Sequence, residues 1–249
     1  MKRETVEFWK NFGANWSSLL YANLILSPFC LPLAAWIVIC QCYSSLVINA
    51  DASVSSANLI IFGGLLPVTL LYFFGLSGYV FTVKGIVFDK RGDVKQLFKE
   101  GVKKSGARYL FCGAAVWLSL TVAVCSTGFW LSSDLDWLIV GPFVAVSVIQ
   151  AIVVVPAALM TMAQQAFFED KPTDSWKNSF KIVILKPSVI LYSALAFVPL
   201  AVTVVLPFVA QLSMWVLYIF LFTTFSVVFF LLPVKRIFDG LIGKNDEEI

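Results

Sequence analysis

Long apolar runs broken by short polar segments make up most of this chain. Five stretches carry no charge at all: 11–50, 52–83, 109–133, 137–168 and 187–234, of 40, 32, 25, 32 and 48 residues. A helix needs about 20 apolar residues to cross a hydrocarbon core. Four of the stretches therefore hold one crossing each. The longest holds two, with a turn in Pro207–Ser213, which contains Gln211. The pattern predicts six transmembrane helices, at about 18–48, 57–83, 107–132, 137–166, 187–206 and 213–234. The expected fold class is all-α, a single integral membrane domain over 1–249. Lys2 and Arg3 resemble the start of a signal peptide, but Glu4 and Glu7 follow and the apolar run is too long. This end is expected to remain in the mature chain.

A second periodicity marks the polar segments. In 93–105, Val94, Leu97, Phe98, Gly101 and Val102 recur at one helix face, while Lys95, Gln96, Lys99, Glu100, Lys103 and Lys104 take the other. Asp93 stands at the N-cap position, with Gln96 three residues on, as in a capping box. Two readings fit: a basic amphipathic helix lying in the membrane interface, or a solvated helix packed on the protein's own cytoplasmic face. Related aromatic and basic segments occur at "WKNF" (9–12) and "WKNSF" (176–180), and "VFDK", "FFEDK" and "IFDG" follow alternate crossings. They are consistent with three copies of one unit, each an interfacial helix followed by a transmembrane hairpin. The N-terminal interfacial helix is expected at about 5–16, a further amphipathic segment at 173–184, and a tail at 235–249.

Charge then orients the chain. With six crossings, all 18 Lys and Arg fall on one side, in the N-terminal tail, the 84–108 and 167–186 loops and the C-terminal tail. The opposite loops hold none, only Asp51, Asp134 and Asp136. The positive-inside rule places both termini in the cytoplasm of a multi-pass plasma-membrane protein. The lysines of the amphipathic segment would favour an anionic leaflet. The expected interfacial and lipid contacts are Lys95, Lys99, Lys103, Lys104, Trp9, Phe98 and Trp176. Trp130, Trp137 and Trp215 are expected at the opposite interface. Composition agrees: 59% of residues are apolar and 13% charged, with a mean hydropathy of +0.88, well beyond the about 45–50% apolar content of soluble domains.

The stretch "GLSGYVFTVKGIVFDKRGD" (75–93) runs through a charged turn into a Phe-containing amphipathic segment, then a transmembrane pair and a shorter second copy. This order resembles the YesL-like bacterial membrane proteins, over about Trp9 to Phe208. The resemblance implies a bacterial membrane protein associated with carbohydrate uptake systems.

Candidate chemistry is sparse. Histidine is absent, which removes the commonest general base and metal ligand. Cys30, Cys40, Cys42, Cys112 and Cys125 all fall in expected crossings, without metal-type spacing, and read as packing residues. Asp134 and Asp136 read as a helix cap rather than a catalytic pair. No Walker-type phosphate loop occurs. No charged residue lies in a crossing away from its ends, which disfavours ion-coupled transport. Neutral polar residues do occur there, and Gln150, Gln164 and Asn23 are the candidate intramembrane polar site. Prolines 28, 32, 67, 142, 156, 199 and 233 offer kinks.

These features predict a non-enzymatic accessory or scaffolding component without cofactor. Its expected partners are membrane lipids and another membrane protein, not nucleic acid. The alternative is a facilitator or channel for a small neutral solute, using Gln150 and the kinked helices.

Overall fold

The apolar runs become helices in the computed structural model, which describes residues 3–48, 54–133, 135–168 and 171–245. In chain order these are α1 (Arg3–Ala14), α2 (Trp16–Ile48), α3 (Val54–Val87), α4 (Val94–Leu131), α5 (Trp137–Phe167), α6 (Pro172–Leu185), α7 (Ser188–Val205), α8 (Phe208–Leu217) and α9 (Thr223–Asn245). A π-helical turn, Tyr218–Phe222, joins α8 to α9 without a break. Among the described residues six helical stretches are long and apolar enough to cross a membrane: Trp16–Cys42, Ile61–Val87, Val94–Leu131, Trp137–Phe167, Ser188–Val205 and Phe208–Leu241. The protein is an all-α, six-span polytopic membrane protein.

The local signals act largely as their chemistry requires. Asp93 accepts a hydrogen bond from the backbone N–H of Gln96 at 3.0 Å and starts α4. The capping box does not close, because the Gln96 side chain donates to Glu100 instead, at 2.8 Å. Asp136 caps α5 through the Leu138 N–H at 2.9 Å; Asp134, its expected companion, lies outside the described residues. The turn between the last two spans is tighter than expected: α7 ends at Val205, and α8 starts at Phe208 directly after Pro207. The prolines do not end their helices. Pro28, Pro32, Pro67, Pro142, Pro156, Pro199 and Pro233 all sit inside helical segments.

The spans form a ring in the order α2, α3, α4, α5, α7, α9, with α9 and the π turn returning to α2. Burial divides the ring into two levels. From Gly75 to Val87 every residue of α3 is buried except Lys84, and from Pro156 to Ala166 every residue of α5 is buried except Leu159. A helix apolar all round and buried all round is enclosed by other helices, not by lipid. The enclosing elements at this basic end are the starts of α2 and α4, the end of α9, α6, and the Phe8 and Phe12 face of α1. The opposite level is open: from Leu120 to Val155 only Val140 and Ser147 are buried among the described residues.

Of the two readings of 93–105, burial of the apolar face matches a helix packed on the protein itself. The segment is not a separate helix lying in the interface; it is the first turns of α4, continuous with the third span. Its apolar face, including Val94, Leu97, Phe98 and Gly101, is buried. Phe98, expected to contact lipid, packs against Phe29 of α2 with ring centroids 6.1 Å apart and against Gly78 of α3. Apolar side chains at helical spacing need a covering surface, and here α2 and α3 provide it. Trp215, expected at the outer interface, is also buried, against Tyr218.

Candidate functional site

All six spans contribute to the wall of one central cavity of about 230 Å³. On α3 the wall runs from Leu65 to Val80, about 22 Å along a helix axis. Its other walls include Leu33 of α2, Val116 of α4, Met162 of α5, Phe197 of α7 and Phe230 of α9. Among the described residues no charged side chain lines it. The few polar side chains at the wall are Thr69, Tyr72, Tyr218 and Ser226. Tyr72 and Tyr218 pair through their hydroxyls at 3.2 Å. Ser226 Oγ is buried and has no hydrogen-bond partner among the described residues.

Beside the cavity, the π turn organises a buried polar network. π geometry lengthens the hydrogen-bonding step from four residues to five. The N–H of Thr223 donates to the Tyr218 carbonyl in this way, and Thr223 Oγ1 donates to the same oxygen at 2.8 Å. The carbonyl of Phe220 accepts from Asn23 Nδ2 at 2.6 Å. Asn23 Nδ2 also donates to Thr224 Oγ1 at 2.8 Å, and Tyr79 Oη stands 2.8 Å from that hydroxyl. Spans α2, α3 and α9 are thus tied at a point where each is fully buried.

The other predicted polar residues lie elsewhere. Gln150 Nε2 donates to Ser119 Oγ at 2.9 Å, joining α5 to α4; Gln150 does not line the cavity. Gln164 Oε1 accepts from Ser179 Oγ at 3.2 Å, and Thr161 Oγ1 lies 3.0 Å from the same serine. This cluster fastens α6 onto α5. Asn23, Gln150 and Gln164 therefore form no common site. Each makes an interhelical hydrogen bond at a different place. Tyr109, at the same basic level, donates to the Met162 carbonyl at 2.8 Å.

The predicted basic contacts also divide. Lys95, Lys99, Lys103 and Lys104 are all exposed along the first turns of α4. Lys103 and Lys104 share a pocket with Lys84, Arg91 and Glu100, walled by Phe81 and by Ala166–Phe168 of the α5 end. Lys84 and Lys104 sit over the Phe81 ring at 5.6 and 5.8 Å. Lys84 also pairs with Asp89 at 3.1 Å, and Arg91 stands 4.0 Å from Glu100. Lys95 lies on a different flank, 5.9 Å above Tyr21. Trp9 and Trp176 are half-buried: Trp9 packs on Phe8, Phe12 and Phe229, and Trp176 on Phe111 and Phe180.

Sequence reasoning missed Tyr72, Tyr218, Thr224 and Ser226. Their spacing in apolar runs gives no cue, and the π turn carries no sequence signature that would single them out. Among the described residues no group of three or more His, Cys, Asp or Glu could hold a metal ion. Comparison with known families, curated proteins and solved structures finds no match to this chain.

Proposed function

We propose that this integral membrane protein is a non-enzymatic accessory or scaffolding component that binds another membrane protein. The observation that carries the reading is the outer hairpin of α4 and α5. Between Leu120 and Val155 only Val140 and Ser147 are buried among the described residues, the rest being half-buried or exposed, and Leu138, Phe143, Val146 and Ile149 present large exposed apolar side chains. Its two helices are joined to each other by side-chain contacts. Ser126 and Ser147 pair at 2.7 Å, Gln150 bonds to Ser119, and Trp130 stacks on Phe143 with centroids 4.3 Å apart. Packing and hydrogen bonds of this kind are what associate helices within lipid, so a two-helix arm outside the packed level is suited to a partner's spans.

The same reading takes the basic face as cytoplasmic and the membrane as the plasma membrane, following the positive-inside rule. It treats α1, the start of α4 and α6 as equivalent leading elements of three hairpin units. The likeness to YesL-like proteins supports a link to carbohydrate uptake. A polar-solute facilitator is less well supported: the central cavity has an apolar wall, and Gln150 is bonded away from it. Purification in mild detergent with identification of retained proteins tests the proposal. A stoichiometric membrane partner is the expected result, and a strictly solitary chain the opposing one.

A further inference from the structure

We infer that the central cavity is a binding site for a neutral, single-chain amphiphile: a hydrocarbon body carrying one hydroxyl or carbonyl oxygen. The inference is independent of the accessory role and rests on four observations. First, the cavity is large enough. A cavity of about 150 Å³ lined by apolar side chains binds benzene, and this one measures about 230 Å³, room on that scale for roughly nine carbon atoms. Second, its length along α3, from Leu65 to Val80, suits a chain better than a compact solute. Third, its wall includes Leu120, which is exposed in the open level of α4. Entry from the hydrocarbon phase avoids desolvating the guest's body in water.

The fourth observation sets the head group. Ser226 Oγ, in a residue more than nine-tenths buried, lines the cavity without a partner. A buried hydroxyl left unpaired is costly, and a bonded oxygen from a guest removes that cost. The Tyr72–Tyr218 pair at the same wall uses one of its two hydroxyl protons within the pair, so one proton remains for an acceptor. With no Asp, Glu, Lys or Arg at the wall among the described residues, a charged head would be buried without a counter-charge. The guest's oxygen group is therefore neutral. A lipid-derived alcohol and a free exogenous alkanol share this chemistry.

The test uses the full chain in phosphatidylcholine nanodiscs and a six-carbon primary alcohol bearing a photoactivatable diazirine. Adducts are expected on cavity-lining segments of α3 and α9, displaced by 1-octanol at least five-fold more effectively than by n-octane. Ser226→Ala should erase most of that preference, and Ala196→Phe, which fills the wall, should abolish the adducts. Val227→Phe serves as a second filling variant if Ala196→Phe fails to give a monodisperse protein. Mass spectrometry of lipid co-purified from native membranes distinguishes the sources: a retained neutral alcohol or carbonyl lipid indicates a resident guest, and its absence alongside saturable labelling an exogenous one. Adducts confined to exposed positions such as Leu138 and Val146, unaffected by either filling variant, would overturn the site. Equal displacement by n-octane would overturn the amphiphile assignment.

Discussion

Gly78 and Gly101 meet where α3 and α4 cross, with no room for a methyl group between them. A Cβ on Gly101 would lie 3.0 Å from Gly78 Cα, 2.8 Å from the Ser77 carbonyl oxygen and 2.6 Å from Phe81 Cβ. Two of these neighbours are backbone and cannot turn aside. Small residues allow such close approach of helices. Gly101→Leu is expected to destabilise the bundle by about 2–3 kcal/mol, read as a fall in thermal stability in detergent. A variant as stable as the parent would show that the crossing is looser than described.

The amide of Asn23 bonds both Phe220 and Thr224. Interhelical hydrogen bonds in membranes average about 0.6 kcal/mol and reach about 1.7. Asn23→Leu removes two of them and leaves the Phe220 carbonyl without its side-chain donor. A loss of about 1–2 kcal/mol is expected, measurable by unfolding from mixed micelles. Thr224→Val in the Asn23→Leu background should cost less than in the parent, because the two residues share one network.

Removing the Tyr109 hydroxyl isolates a single bond at the basic level, to the Met162 carbonyl. Tyr109→Phe keeps the ring's packing, so the expected loss is about 1 kcal/mol. An unchanged stability in the same assay would mean that the carbonyl finds another donor.

Gln150 offers a direct check on solute passage. Its bond to Ser119 assigns it a role in joining α4 and α5. In reconstituted vesicles Gln150→Leu is expected to leave the permeability to small neutral solutes unchanged. A several-fold change in flux would revive the facilitator reading.

The parts of this fold that charge controls were legible in the residues. Gaps between charged side chains located the six spans, and Asp93 and Asp136 marked two helix starts that the structure retains. What apolar residues cover was not legible. Lipid and protein interior both accept Leu, Val and Phe, so the run ending at Val83 reads the same whether its last turns face acyl chains or, as found from Gly75 onward, other helices. Phe98 is the clearest case: its helical face was evident, its partner was not. The site was less legible still. Asn23 was identifiable as a polar residue within a span, yet its partners Phe220 and Thr224 lie about 200 positions away. Only the tertiary fold brings them together.

The accessory role is tested most directly at Ile149, which is exposed on the outer segment of α5. A photo-crosslinking amino acid placed there, activated in intact cells, should yield one discrete adduct with a second membrane protein, and that protein should co-purify at fixed stoichiometry in mild detergent. Crosslinks to lipid alone, with the chain monodisperse and solitary after extraction, would contradict the account.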